Sequence, residues 1–317
     1  MKESHKRSRS PKTKKIYRVK NWSQYDRALR NRGDITIWLS EEAIQAWAPK
    51  QNGKQGRPKK FSDLAIETVL TLRLVFHLPL RQAEGFVHSL LAMMDLDLPT
   101  PDHTTLSRRS SSLKPVLKYR ACPGEPVHVI VDSTGLSIHG EGPWRHGKKK
   151  RRGWRKLHVA VDGKGNLLAT TLSRETSRDA SRVPRLFDIY SGPVASLTGD
   201  RGYDQASVYR AGLDRNSDAD IVIHPRVNGV HSHRKLELVQ RNEHLERIAS
   251  GGIYRWRRES GYYRQSGVEN AIYRYKTIIG KRLRARGDGA REAEVVLGGN
   301  ILNRCLDLGR PVSVCVG

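Results

Sequence analysis

Residues 127–136 read Val-His-Val-Ile-Val-Asp-Ser-Thr-Gly-Leu, and the fold turns on how this stretch is read. Its first five residues are too few and too β-branched for a good helix, so they predict a strand. Before Pro126 the apolar residues recur at helical spacing; after it they do not. Asp132 follows the run directly, so a strand ending at Val131 would set its carboxylate at the rim of a sheet, outside the core. A new domain is expected to begin near residue 121 and to run to residue 317.

Toward the C-terminus, Leu157-His-Val-Ala-Val161 and Leu167 to Leu172 flank Asp162-Gly-Lys-Gly-Asn166. Two glycines and an asparagine tolerate positive φ, so this pair predicts an antiparallel hairpin. A helix from Asp179 to Tyr190, a strand from Val194 to Leu197, a helix near Asp204, a strand from Ile221 to Ile223 and a helix from Tyr262 to Arg284 complete the series. The order βββαβαβα is that of an α/β, RNase H-like fold with a mixed sheet. Residues 225–260 form a long basic insertion after the fifth strand.

Toward the N-terminus, residues 1–20 are basic with almost no aliphatic side chains, too few to offset the entropy of ordering, and predict a mobile arm. A short helix with Ser23 as cap and Gly33 as stop, a β-like run from Ile35 to Leu39, and a linker from Asn52 to Lys60 follow, so residues 1–60 are read as arm and linker. Residues 61–120 then carry three helices. The first spans Ser62 to Leu78, the second Leu80 to Met94, and the third runs from an Asp102 cap to Leu113. The trio fits a helix-turn-helix-like DNA-binding domain with Arg108 and Arg109 on its last helix; a helical bundle with a basic rim is the competing reading.

The 58 Lys and Arg against 32 Asp and Glu give a net charge of +26, which favours a polyanionic partner, nucleic acid first. No apolar run approaches the roughly 18 residues that span a bilayer, and a soluble, cytoplasmic, nucleoid-associated protein is expected. Cys122, Cys305 and Cys315 are scattered, which argues against both a disulfide framework and a thiolate zinc site. His231 and His233 lack companion ligands, and no zinc site is expected there.

The acidic residues that matter chemically are few. Asp200 follows Val194-Ala-Ser-Leu197, with Gly199 and Gly202 allowing a sharp turn on either side. On the predicted helix from Tyr262, the residues Tyr262, Glu269 and Lys276 recur every seven positions and share a face, with Gln265 between them. An adjacent stripe of Val268, Ile272, Tyr275 and Ile279 is expected to pack on the sheet and turn Glu269 toward Asp132 and Asp200. Hard Mg²⁺ ions want oxygen ligands with positions left open for phosphate and nucleophile. Two such ions about 4 Å apart serve in-line displacement at phosphorus if several carboxylates offset their repulsion. Asp132, Asp200 and Glu269 are the candidate catalytic and metal-binding set, with Lys276 placed to hold a phosphate. Asp162, Asp179, Asp188 and Asp204 are read as turn, cap or surface groups.

Two basic-aromatic segments are candidates for DNA contact. Lys148, Lys149, Lys150, Arg151, Arg152, Trp154, Arg155 and Lys156 lie between the first two strands. Trp256 stands among Arg255, Arg257 and Arg258. His224-Pro225-Arg226, after the fifth strand, is a weaker candidate for a phosphate contact.

Three blocks carry a family likeness: VDSTGL at 131–136, TGDRGYD at 198–204 and YYRQSGVENAIYRYK at 262–276. Together they resemble the catalytic blocks of bacterial insertion-sequence transposases, specifically the insertion-sequence-five group. That group's third block reads Tyr, two residues, Arg, three residues, Glu, six residues, Lys. The pattern falls on Tyr262, Gln265, Glu269 and Lys276, with Gln where the family has Arg. The resemblance implies an enzyme that binds the terminal inverted repeats of its element, frees a 3′-hydroxyl and joins it to target DNA with Mg²⁺, or Mn²⁺ in its place. It also implies pairing into a homodimer or higher oligomer on DNA. An RNase H-like nuclease without strand transfer, and a DNA-binding regulator with an inactive catalytic domain, remain the alternatives at this point.

Overall fold

The computed structural model describes residues 16–49, 58–120, 124–138, 153–232 and 235–316. In chain order the elements are β1 (Tyr17–Val19), α1 (Trp22–Asn31), α2 (Glu41–Gln45), α3 (Asp63–Val75), α4 (Leu80–Met93), α5 (His103–Ser112), β2 (Val127–Ile138), β3 (Trp154–Val161) and β4 (Leu167–Arg174). They continue with α6 (Val183–Ile189), β5 (Val194–Gly199), α7 (Ala206–Leu213), β6 (Asp220–Ile223), α8 (Val239–Glu259), α9 (Gln265–Ile278), β7 (Arg282–Leu283), α10 (Asp288–Leu308) and β8 (Ser313–Cys315).

The central sheet has six strands. Its path is β4-β3-β2-β5-β6, with β7 joining the far end of β2. β2, β3 and β4 run antiparallel, while β5 and β6 run parallel to β2, giving the expected mixed RNase H-like sheet. The β3–β4 hairpin is closed by Asp162, whose Oδ1 accepts from the amides of Lys164 and Asn166 at 2.8 Å each. Gly165 takes the positive φ (+81°) that this turn requires.

β2 differs from expectation in a way that shapes the site. It continues to Ile138, because β3 keeps pairing with it from Ile130 to Ser137. On its other edge β5 pairs only as far as Ile130 opposite Thr198, and β7 joins only at Ser137. Asp132 therefore lies inside a long strand, on a stretch of edge that neither β5 nor β7 covers. The parallel register, carried two residues beyond the Ile130–Thr198 pair, brings Asp132 alongside Asp200.

Helices cover both faces of the sheet. One apolar cluster joins Ile130, Leu136, Leu157 and Val159 of the sheet to Val268, Tyr275, Val295 and Ile301 of α9 and α10. The same cluster contains Ile66, Leu72, Val87, Leu91 and Leu106 from α3, α4 and α5. The boundary placed at residue 120 thus does not separate two cores, since α3 to α5 and the sheet side pack into one. The other cluster joins Val129, Val131 and Leu197 to Leu186, Phe187, Val208 and Tyr209 of α6 and α7.

Three other expectations change. Tyr17–Val19 pairs with Ser313–Cys315, so the tail of the expected arm is tied down by backbone hydrogen bonds. Ile35–Ile37 forms a single 3₁₀ turn capped by Asp34, because the Asp34 side chain accepts from Thr36 N and competes with extension. The helix expected from Tyr262 to Arg284 splits into a turn at Tyr262–Arg264, α9, and the strand β7, with Gly280 at φ +124° making the break.

Candidate active site

Asp132 is partly buried on β2, and its Oδ1 accepts from the Ser133 amide at 2.7 Å. Asp200 is exposed at the end of β5 and caps the turn after it through Gly202 N at 2.8 Å. Gly202 permits this fold-back, since a Cβ there would stand 3.0 Å from the carboxylate oxygen. Glu269 is exposed one turn into α9, a helix seated on the sheet by Val268, Ala271 and Tyr275.

The electrostatics tie these acids together. Burial pushes the Asp132 carboxyl up to about 6, helped by the negative charges of Asp200, Glu269 and Asp179. Carboxylates raise one another in this way only at short range, because water and salt screen more distant charges. The three residues named from sequence stand on a strand, at a strand end and on a helix, with Asp132 within electrostatic reach of the other two.

Asp179, read from sequence as a cap, belongs to the same neighbourhood. Its Oδ1 lies 3.1 Å from Lys156 Nζ and 3.8 Å from His158 Nδ1. His158 is fully buried with its Nδ1 unpartnered, and burial pulls its imidazole down to about 4. Tyr203 is also buried beside Ser133, and the charges of Asp132, Asp179 and Asp200 reinforce burial in raising its hydroxyl. A hint was available: Tyr203 lies three residues after Asp200, within the 198–204 block. Nothing in sequence distinguished Asp179 from an ordinary cap.

Among the described residues no three His, Cys, Asp or Glu side chains already converge as a metal cage. Bare carboxylates repel, and Asp132 and Asp200 have each turned an oxygen onto a backbone amide. The donor type fits a hard divalent cation, since Asp132 is a carboxylate within electrostatic reach of three others, Asp200, Glu269 and Asp179.

A family model described as a transposase DDE domain matches residues 123–303, more than half of the chain, and a second model of the same description matches residues 30–141. The chain belongs to the DDE transposase family. It is accordingly an enzyme of DNA cleavage and strand transfer, a chemistry that DDE transposases perform with divalent metal ions. Solved structures with similar coordinates include a piggyBac transposase synaptic complex with hairpin DNA, at 12% identity and a TM-score of 0.41 over 85% of this chain and 73% of that one. Two Mos1 transposase complexes also match at 12% identity and a TM-score of 0.23. The mariner paired-end complex with Mn covers 80% of this chain and 85% of that one, and the complex with the left transposon end covers 83% of each.

The candidate DNA contacts of the transposase divide sharply. Trp256 is 1% exposed and sits among His224, His244 and Tyr262 at centroid distances of 5.5, 5.5 and 5.3 Å. It is a buried residue of α8, on the segment that follows the non-helical break at Gly252. Gln265 is 6% exposed, and its Nε2 donates to Val131 O at 3.4 Å. It serves the open edge of β2 in place of a strand partner. Arg109 is spent on Phe61 O and the Asp63 carboxylate, and Lys156 on Ser177 O and Asp179. Arg155 reaches Asp288 at 3.3 Å. Trp154 is 42% exposed, with its indole lying over Gly135. Lys148, Lys149, Lys150, Arg151 and Arg152 lie outside the described residues.

Tyr262 and Lys276 are half-buried. The Tyr262 hydroxyl is raised by burial and then by Asp200 and Glu269, with Arg257 and Arg201 opposing, so it borders the acidic centre. Arg108 is exposed on the wall of a cleft of about 1020 Å³ between α3–α5 and the α9–α10 region. Arg81, Lys281, Arg282 and Arg286 line the same cleft and are exposed. Its one carboxylate, Glu294, is occupied by the amides of Arg284 and Ala285.

Proposed function

We propose that Asp132, Asp200 and Glu269 are the catalytic carboxylates of an insertion-sequence-five-type transposase and would hold two Mg²⁺ ions, with Mn²⁺ a working substitute. The observation that supports this reading is the placement of the three acids on β2, at the end of β5 and on α9, with the β2–β5 register carrying Asp132 alongside Asp200. When bound there, the ions would supply activation of the attacking oxygen and stabilisation of the leaving one. The protein's own work is positioning. β2 and β5 fix two of the acids side by side, and α9 adds the third. Tyr262 and Lys276 flank the carboxylates on the same helical segment and orient the phosphates next to the scissile bond. The cleft bearing Arg81, Arg108, Arg282 and Arg286 is a track for the phosphate backbone of the terminal inverted repeat, and pairing of two ends requires a homodimer or higher oligomer on DNA.

The test is a strand-transfer assay with labelled element ends and a supercoiled target in Mg²⁺. Joined product is expected, and neutralising any of the three acids should cost at least about 3 kcal/mol of transition-state stabilisation, a hundredfold or more in rate. Nicks without joined product would point to a plain nuclease. Undiminished activity of Asp132→Ala would refute the assignment.

A further inference from the structure

His224 follows β6 and is 4% exposed, walled by Trp256 and by Tyr262, whose ring centroids lie 5.5 Å away at interplanar angles of 76° and 72°. Its Nδ1 lies 2.9 Å from Pro225 O and 3.0 Å from Arg201 Nε. Its Nε2 faces Arg201 Nη2 and Arg257 Nη2, each at 3.3 Å. Arg201 Nε donates to Nδ1, and the Nη2 groups of both arginines face Nε2, so the two guanidiniums meet on one buried ring. Burial, and then the two guanidiniums, hold the imidazole below its ordinary value.

Two exposed guanidiniums are thus gathered on one buried ring. Neither Arg201 nor Arg257 has a carboxylate partner among the described residues. Like charges gathered in this way are electrostatically costly, and a phosphate with oxygens for both forks would relieve the cost. Arg201 adjoins Asp200 in sequence, and Arg257 lies over the Tyr262 ring at 5.8 Å, so the pair opens beside the acidic centre.

We propose that Arg201 and Arg257, gathered on the buried His224, form a binding site for a single backbone phosphate of the DNA strand beside the catalytic acids. His224 is a positioning residue and touches no DNA itself. The inference rests on the reading of Asp132, Asp200 and Glu269 only for what lies next to it.

The test measures binding of the full chain to a fluorescein-labelled DNA duplex by anisotropy, across a range of NaCl concentrations in EDTA. His224→Leu keeps both arginines, and the net charge, but removes the acceptor that holds them. The slope of log affinity against log salt should fall by about 0.9, the amount expected for one lost phosphate contact. His224→Gln, whose amide oxygen can replace Nε2 as acceptor, should restore it. If His224→Leu fails to fold, the exposed pair Arg201→Ala and Arg257→Ala together should lose the same slope. A slope equal to wild type in His224→Leu or in the double variant overturns the proposal, as does failure of His224→Gln to differ from His224→Leu. Asp132→Asn serves as the separating control. It should keep the slope and lose Mg²⁺-dependent cleavage, so continued cleavage by it would sink the metal reading while leaving the phosphate site standing.

Discussion

Removing the charge of Asp132 should stabilise the metal-free transposase while abolishing its activity. The carboxyl is displaced from 3.8 up to about 6 by burial and by neighbouring acids. At 1.36 kcal/mol per tenfold change in proton affinity, its ionised form costs the folded state roughly 3 kcal/mol at neutral pH. The folded state binds this proton more tightly than the unfolded one. The contribution is therefore fully favourable below about 3.8 and is lost as pH rises to about 6. Asp132→Asn retains an oxygen for the Ser133 amide and carries no charge. At pH 8 in EDTA its melting temperature should exceed that of wild type by about 6 °C, given about 2 °C per kcal/mol for a chain of this size. The gap should close as pH falls from 6 toward 4. Differential scanning calorimetry of both proteins over this range is the assay. A mutant no more stable than wild type at pH 8, or a gap indifferent to pH, would show that the Asp132 carboxyl is not raised by burial and its acidic neighbours.

Mg²⁺ or Mn²⁺ should raise the melting temperature of wild type, by the equivalent of about 2.7 kcal/mol at a hundred times the dissociation constant. The shift should be much smaller in Asp132→Asn and in Glu269→Gln; equal shifts in all three proteins would place the metal elsewhere. His158 acts on pH with the opposite sign to Asp132. Burial holds its imidazole down to about 4 from 6.5, so its contribution to stability is intact above 6.5 and is lost as pH falls to 4, and His158→Gln should flatten the acid side of the wild-type stability curve measured by denaturant titration. Trp256→Ala should cost about 3 to 5 kcal/mol in urea unfolding because it empties a core site; a variant as stable as wild type that only binds DNA less well would return Trp256 to the surface. Gln265→Ala leaves Val131 O without its side-chain partner and should cost about 1 to 2 kcal/mol, again read by urea unfolding, with no loss expected if the 3.4 Å contact is incidental.

The sequence alone determined the alternation that makes β2 to β6 and the turn at Asp162 to Asn166, and it named the three carboxylates as candidates. These are local signals: β-branching, glycine tolerance of positive φ, and the seven-residue recurrence from Tyr262 into α9. It also determined the charge balance that calls for a polyanion. Tertiary structure decided which cations are free. Arg109, on the third helix, and Trp256, in a basic-aromatic segment, look in sequence like DNA contacts, yet one is spent on Asp63 and the other is walled in by His224, His244 and Tyr262. Only the fold set Asp179 and Tyr203 near Asp132, left the edge of β2 to Gln265, and merged α3 to α5 with the sheet in one core. The physical reason is range: backbone preferences act over a few residues and are written in their order. Burial and pairing depend on side chains far apart in the chain, whose meeting no local pattern records.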